Sequence, residues 1–280
     1  MEFIKVLLLG IIEGITEWLP ISSTGHLIIL NSFLSLKASD AFISMFEVVI
    51  QLGAILAVVV LFFPKLWPFG KKNNPKPLKQ EGFGSYIKTD IFVMWFKIIV
   101  ACIPGILMIP FQDFFEEKFY NPIAVSLALI IFGVLFIVIE RWNKSRKPSV
   151  TTLSSLSYKV AFAIGCFQLL AMIFPGTSRS GATILGALLL GVSRIVAAEF
   201  TFYLAIPVMF GASLLKLLDF GFSFSSTELS MLLLGMVVAF AVSIFVIKFL
   251  LSYIKKHDFT AFGWYRIVLG ILVLLYFGLK

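Results

Sequence analysis

The sequence predicts an all-helical, polytopic membrane protein, and three observations carry that prediction. Hydrophobic residues make up 60% of the chain and charged residues only 14%, a composition far from that of soluble domains. Several apolar runs are long enough to cross a bilayer as helices. Two further segments, in matching places of the two halves, put ionisable and hydroxyl side chains inside apolar sequence, where they are costly and usually mark function.

The apolar runs give six predicted transmembrane helices within a single membrane domain, 1–280. They cover about 42–63, 91–111, 122–140, 196–217, 228–250 and 262–279. The two polar segments lie outside these runs.

Basic residues collect in three of the connections between the predicted spans. They are Lys65, Lys71, Lys72, Lys76, Lys79 and Lys88; Arg141, Lys144, Arg146, Lys147 and Lys159; and Lys248, Lys255 and Lys256. Because short cytoplasmic loops are enriched in Lys and Arg, these three connections are predicted to be cytoplasmic and the opposite ones to face outward. The net charge of +8 then reflects attraction to anionic lipid, and we expect no nucleic-acid partner.

This orientation requires segments 1–35 and 155–192 each to enter the membrane and return to the side they left. Each is interrupted near its middle by a proline, Pro20 or Pro175. Proline cannot continue a helix and frees backbone groups that must line a cavity. The two segments are therefore predicted to be re-entrant helical hairpins.

The two halves of the chain also resemble each other weakly and in the same order. The matched pairs are Glu13 with Gln168, Pro20 with Pro175, Glu47 with Glu199, Trp95 with Trp264 and Lys97 with Arg266. We assign 1–111 to the first repeat, closed by the span 122–140, and 155–280 to the second. One hairpin plus three spans is an odd number of crossings, so an inverted-topology repeat is predicted, with the hairpin tips meeting near the midplane. Lys97 and Arg266 are interpreted as snorkelling anchors near cytoplasmic span ends.

The first hairpin carries groups suited to phosphate chemistry. Glu13 and Glu17 are four residues apart, so both carboxylates project from one helix face and suit a divalent cation, Mg²⁺ or Ca²⁺. Ser22, Ser23 and Thr24 are placed to open a second half-helix, whose free amides attract an anion. His26 lies one turn further on, which allows a serine and histidine pair, with the attacking serine left open.

The second hairpin offers Arg179, a planar and permanently charged donor suited to phosphate. Its hydroxyl neighbours are Thr177, Ser178, Ser180 and Thr183. Structural alternatives exist for these groups. The acids can simply neutralise Arg179, the hydroxyls can bond to helix carbonyls, and His26 can be a packing residue. Two acids against one base leave a surplus, which favours function.

The runs E-G-x-T-E-x-L-P-x-S-S-T-G-H, from Glu13, and P-G-x-S-R-S-G-A-T, from Pro175, resemble the signatures of the undecaprenyl pyrophosphate phosphatase family, also known for bacitracin resistance. The resemblance covers essentially the full chain. It implies a phosphatase of the bacterial plasma membrane that converts a long-chain polyprenyl pyrophosphate, undecaprenyl pyrophosphate, to undecaprenyl phosphate at the outer face. It also implies metal dependence, and it leaves a homodimer open.

Carried onto this sequence, the resemblance assigns catalytic roles to Glu13, Glu17, Ser23, His26 and Arg179. Ser23 is the candidate nucleophile, His26 its proton partner, the two glutamates the metal or water ligands, and Arg179 the phosphate clamp. The remaining pocket contacts are Ser22, Thr24, Thr177, Ser178, Ser180 and Thr183.

Two rival functions are weighed against this one. A secondary transporter or flippase for an anionic lipid would use the same inverted hairpins. Such a protein has little use for a nucleophile beside an acidic pair, which favours hydrolysis. The other membrane phosphatase family uses a Ser-Arg-His-Asp motif, and no histidine follows Arg179 before His257.

Overall fold

The computed structural model describes residues 1–31, 34, 36–71 and 74–279, with the side chain of residue 31 left out, and its long elements are all helices. The first half contains α1 (Glu2–Thr16), α2 (Ser23–Asn31), α3 (Asp40–Val49), α4 (Gln51–Leu66), α5 (Thr89–Met108), α6 (Gln112–Phe119) and α7 (Pro122–Asn143). The second half contains α8 (Tyr158–Ile173), α9 (Arg179–Leu189), α10 (Arg194–Phe220), α11 (Ser226–Ile254) and α12 (Thr260–Gly278). Lys72 and parts of the first hairpin's return, at 32, 33 and 35, lie outside the described residues.

The prediction of an all-helical, polytopic membrane protein with six spans is confirmed. Within the described part of the chain, six helical stretches are long and apolar enough to cross a membrane. They are Asp40–Leu66, Thr89–Phe119, Pro122–Asn143, Arg194–Phe220, Ser226–Ile254 and Thr260–Gly278. Each contains one of the six predicted runs or nearly all of it, and α3 with α4 forms the first while α5 with α6 forms the second.

Small residues set the closest helix contacts. α7 packs on α12, α1 on α11 and α8 on α5. A Cβ added to Gly133 would lie 2.7 Å from the carbonyl oxygen of Gly263, and one added to Gly263 would lie 2.7 Å from that of Gly133. Since apolar side chains gain little from leaving lipid, such close backbone approach is what membrane helices use to associate.

Each predicted hairpin is closed at its base by hydrogen bonds. The backbone N–H of Lys37 donates to the Glu2 carboxylate at 2.8 Å. In the second hairpin the N–H of Ser149 donates to the Gly191 carbonyl at 2.9 Å, and the N–H of Ser193 to the Val150 carbonyl at 2.8 Å. Both segments therefore leave and return at one place, as a re-entrant hairpin requires, while their depth in a bilayer stays a prediction.

The two hairpins start from opposite ends of α11. Gly10 and Gly14 of α1 lie against Gly235 and Ala239, so α1 runs beside the first half of α11. The base of the second hairpin lies near Lys255, at the far end of that helix. This arrangement supports an inverted repeat, and the superposition of the two halves stays a prediction.

One of the sequence matches between the halves does not join equivalent elements. Trp95 lies on α5, in the second span of its half, whereas Trp264 lies on α12, the third span of the other half. α5 packs against α8 of the second hairpin in the same way as α11 packs against α1 of the first hairpin. By this packing, α5 is equivalent to α11 and not to α12. Aromatic and basic residues recur at many span ends. The match of Trp95 with Trp264 therefore does not join equivalent positions of the two halves.

Candidate active site

In each hairpin, one serine with a strained backbone directly precedes the second helix. Ser22 has a φ of 75° and Ser178 a φ of 69°, and they are the non-glycine residues with positive φ in the described chain. The Ser22 hydroxyl accepts from the Gly25 N–H at 3.3 Å, and the Ser178 hydroxyl from the Gly181 N–H at 3.1 Å. Both hydroxyls thus cap a helix, which compensates for a backbone conformation that costs about 1–3 kcal/mol.

The two hairpin breaks meet through Arg179. Its Nη2 donates to the Glu17 carboxylate in a short ion pair and also contacts the Met209 sulfur at 2.9 Å. The Ser180 hydroxyl donates to the Glu17 carbonyl at 3.0 Å. Arg179 Nη1 is buried and has no hydrogen-bond partner among the described residues. One edge of the guanidinium is therefore held while a second donor is left for a ligand.

A cavity of about 320 Å³ opens at this junction. Six of the predicted site residues line it: Glu17, Ser23, Thr24, Ser178, Arg179 and Ser180. They come from both hairpins, so the cavity exists only where the two breaks meet. The arrangement can bind an oxyanion with Arg179 while presenting serine and threonine hydroxyls to it.

Glu13 lies next to this cavity without lining it. Its side chain is fully buried, and neither carboxylate oxygen has a hydrogen-bond partner in the described part of the chain. A buried carboxylate of this kind fits a cation or a proton. No group of three or more His, Cys, Asp or Glu residues suited to a metal is found in the residues described. A metal here would need Glu13, Glu17 and oxygen atoms from substrate or water.

His26 is held in place by other residues than Ser23. Its Nδ1 donates to the Ser22 carbonyl at 2.7 Å, so in the neutral ring Nε2 accepts from the Tyr265 hydroxyl at 2.7 Å. The Tyr265 ring stacks on the imidazole with centroids 5.7 Å apart. The geometry shows no hydrogen bond between His26 and Ser23, so the role of His26 as the proton partner stays a proposal.

Arg266 is the main residue that the sequence reasoning placed wrongly. It is fully buried, and it donates to the carbonyls of Pro20 at 3.2 Å, Gly176 at 2.9 Å and Thr177 at 2.7 Å. It therefore ties the two proline breaks together. The snorkelling interpretation is also wrong for Lys97, which is 5% exposed and donates to the Leu153 and Ser154 carbonyls.

Comparison with known proteins shows the family of this chain. A model of the family described as bacitracin resistance protein BacA matches residues 6–272. The chain belongs to the BacA family. A protein named undecaprenyl-diphosphatase from Lachnoclostridium phytofermentans is 61% identical over 277 residues, covering 99% of this chain and 97% of that one. Proteins of the same name from Enterococcus faecalis and Desulfitobacterium hafniense are each 60% identical, covering 98% and 100% of this chain and 97% and 98% of their own lengths.

Three hydroxyl residues predicted as substrate contacts lie outside the cavity lining of this BacA family protein. Ser22 is buried and serves as a helix cap. Thr183 is buried, donates to the Arg179 carbonyl at 2.9 Å and accepts from the Thr201 hydroxyl at 2.9 Å. The Thr177 hydroxyl is buried without a partner in the described residues. Ser22 therefore stabilises the start of α2 and Thr183 stabilises α9, and neither lines the cavity.

Several cavity residues of this BacA family protein were missed by sequence reasoning. They are Gln51, Gln112, Glu116, Tyr120, Gln168 and Met209. Burial, with the charges of Glu47 and Glu116, raises the pKa of Tyr120 to about 12, so its phenol stays protonated at neutral pH and can donate a hydrogen bond. Only Gln168 had left a signal, its match to Glu13 in the repeat. The others lie on spans or directly after α6, where the sequence pattern indicates only a membrane helix or its end.

Proposed function

We propose that this BacA family protein is a membrane phosphatase that hydrolyses undecaprenyl pyrophosphate to undecaprenyl phosphate and inorganic phosphate. The main support is the ion pair between Arg179 and Glu17 at the wall of a cavity lined by hydroxyl groups. The relatives named undecaprenyl-diphosphatase support the choice of substrate. The activity would recycle the lipid carrier for cell-wall synthesis and confer resistance to bacitracin.

The terminal phosphate is bound by Arg179 in this proposal. Nη2 is already held by Glu17, so Nη1, buried and without a partner among the described residues, is the donor proposed to bind the phosphate. A charged donor left unsatisfied in a buried site binds an anion strongly because no water competes for it. Arg179 is also the first residue of α9, where the helix dipole adds to the attraction.

Ser23 is the proposed nucleophile. It is half-buried, lines the cavity and begins α2, and its neighbour Ser22 already supplies the cap. Its oxygen bonds to the terminal phosphorus as the bridging P–O bond breaks, and undecaprenyl phosphate leaves with that electron pair. Water then displaces the serine and releases inorganic phosphate. His26 receives the serine proton only after exchanging its bond to Tyr265.

Glu13 and Glu17 are the proposed ligands of a divalent metal. When bound, such a metal withdraws charge from the phosphate oxygens and stabilises the transition state. This assignment is supported by the Glu13 carboxylate, whose oxygens have no hydrogen-bond partner among the described residues. We expect Glu13→Gln to require at least about tenfold more metal for half-maximal binding, measured directly by Mn²⁺ electron paramagnetic resonance, because one of two protein ligands loses its charge. Unchanged Mn²⁺ binding would contradict it.

The cavity is proposed to open toward the outer face of the plasma membrane. Gln112, Glu116 and Tyr120, in its lining, lie on α6 or directly after it, in the connection that joins the end of α5 to α7. That connection has few basic residues and is predicted to face outward.

The first test is phosphate release from undecaprenyl pyrophosphate by the purified protein in detergent, with and without a chelator. Glu17→Gln removes the charge that holds Arg179, and we expect it to lower turnover by about 100-fold or more. Glu81→Gln, which neutralises an exposed carboxylate in the loop before α5, is the matched control and keeps wild-type turnover. Wild-type turnover in Glu17→Gln would remove the site assignment.

A transporter or flippase remains the second candidate because the hairpins start from opposite ends of α11. A folded protein that releases no phosphate but moves fluorescent polyprenyl phosphate across vesicle membranes would favour it. Phosphate release lost in Glu17→Gln favours the phosphatase.

A further inference from the structure

A second cavity, of about 510 Å³, lies where α7 ends, α10 begins and α11 ends. All three are ends of spans, so the cavity lies at the depth of lipid headgroups on the side that carries the basic loops. The charged residues in its lining are Arg146, Lys147, Arg194, Lys255 and Glu140. Four cations face one carboxylate, and the cavity has no part in the proposed hydrolysis.

The single acid of this lining is already neutralised. Glu140 is fully buried and accepts from Arg194 Nε at 2.9 Å and from Arg194 Nη2 at 2.5 Å. It also accepts from the Phe259 N–H at 3.0 Å. This pairing fixes Arg194 at the cavity wall and leaves its Nη1 outside the pair.

The other three cations have no acidic partner within the described part of the chain. Among the ion pairs of the described residues, none involves Arg146, Lys147 or Lys255. The Arg146 guanidinium stacks on the Trp142 ring at 3.6 Å, which orients its donor edge. Like charges brought together without counter-charges repel, and a bound anion relieves that repulsion.

Backbone hydrogen bonds hold the wall of the cavity in place. Backbone bonds from Ser149 and Val150 to the Gly191 carbonyl, at 2.9 and 3.1 Å, hold the strip that carries Arg146 and Lys147 against the start of α10. Ser193 has the backbone conformation of an N-cap, yet its hydroxyl makes no capping bond. That hydroxyl and the first amides of α10 are therefore available to an oxyanion.

We propose that this cavity binds a phosphate group, carried by the headgroup of an anionic phospholipid of the same leaflet. Basic pockets between transmembrane helices on the cytoplasmic side are suited to such headgroups. Helix α9 connects the two cavities: Arg179 and Ser180 line the first and Leu188 and Leu189 the second, about 12–15 Å apart at the helical rise. A bound headgroup would thus hold the far end of the helix that carries Arg179.

The test measures the thermal unfolding of the purified protein against increasing dioctanoyl phosphatidylglycerol, dioctanoyl phosphatidylcholine or inorganic phosphate. The variant is Arg146→Ala/Lys147→Ala/Lys255→Ala, and the matched control is Lys76→Ala/Lys79→Ala/Lys159→Ala, which removes three exposed cations that do not line the cavity. We expect phosphatidylglycerol to stabilise the wild type and the control at equal concentrations. The cavity variant should need at least about tenfold more phosphatidylglycerol for the same rise in unfolding temperature.

Each outcome decides the proposal. Equal stabilisation by phosphatidylcholine, or an equal loss in the control variant, would overturn it, since the effect would then be general adsorption or net charge. Stabilisation by inorganic phosphate at the same concentration would keep the phosphate site and assign it to free phosphate instead of lipid. If the triple variant unfolds without lipid, the double variant Lys147→Ala/Lys255→Ala, at two exposed positions, is compared with the wild type in its place. We expect it to need about threefold or more phosphatidylglycerol for the same stabilisation.

Discussion

At the residue scale, the site depends on two serines that hold an unfavourable backbone. Ser22 and Ser178 each combine a positive φ with a capping bond, and neighbouring residues of each hairpin line the cavity. Serine suits these positions because the hydrogen bond of its hydroxyl offsets part of the strain energy that its Cβ causes in the left-handed region.

This reasoning predicts a difference between two substitutions of Ser22. Ser22→Ala loses the cap and keeps the strain, whereas Ser22→Gly loses the cap and relieves it. We expect Ser22→Ala to be about 1 kcal/mol less stable than Ser22→Gly, measured by thermal unfolding in detergent. Equal stability of the two variants would show that the backbone at Ser22 is not strained.

Arg266 joins the two breaks from outside both hairpins. Removing it leaves three buried carbonyls without a donor, each costing about 1–3 kcal/mol. Arg266→Met should therefore lower the unfolding temperature by several degrees and abolish phosphate release, while Arg141→Met, at an exposed position, should change neither.

A conservative variant separates position from stability. Arg266→Lys keeps a cation but not the planar fork that reaches three carbonyls, so we expect kcat to fall about tenfold or more while KM changes little. If turnover stayed normal in Arg266→Lys, the alignment of the two breaks would not depend on this fork.

At the element scale, most polar residues of the cavity lie at helix ends and turns, while the helix bodies pack through small residues. Gly165 of α8 lies so close to the Ala101 carbonyl of α5 that a Cβ there would overlap it. Gly211 of α10 has open space around its Cβ position. The two glycines therefore form a matched pair for a packing test.

Gly165→Ala should destabilise the protein by about 1–3 kcal/mol, because α8 must move away from α5 and displace the second hairpin. Gly211→Ala should be neutral or stabilising by about 0.5–1 kcal/mol, because alanine favours the helix. Thermal unfolding of both variants in one detergent compares them directly. A stable Gly165→Ala would mean that α8 and α5 are not in backbone contact.

At the scale of the whole molecule, the two hairpins enter from opposite ends, so the membrane orientation decides which cavity faces out. In a variant with Cys102 and Cys166 replaced by alanine, we expect Ser223→Cys, between α10 and α11, to react with an impermeant thiol reagent in intact cells. Lys79→Cys, in the basic loop, should react only after permeabilisation. The reverse pattern would place the catalytic cavity on the cytoplasmic side.

Much of this architecture was readable from the sequence because a bilayer imposes simple rules. Six apolar runs became six helical spans, and Pro20 and Pro175 became helix breaks. The rarity of polar groups in apolar sequence drew attention to Glu17, Ser23 and Arg179, which the structure brings to one cavity. Composition and length carry that information locally, without reference to any partner helix.

Tertiary structure alone decided which polar groups are partners and which surfaces they line. Lys97 and Arg266 have the same pattern as lipid anchors, yet both are buried donors to carbonyls of distant segments. The pairing of Arg179 with Glu17 likewise joins residues far apart in the chain, and burial leaves the Glu13 carboxylate without a hydrogen-bond partner among the described residues. A periodic apolar pattern states that a helix is in the membrane, but not which neighbour it meets, because the contact energy is shared between two surfaces that only folding brings together.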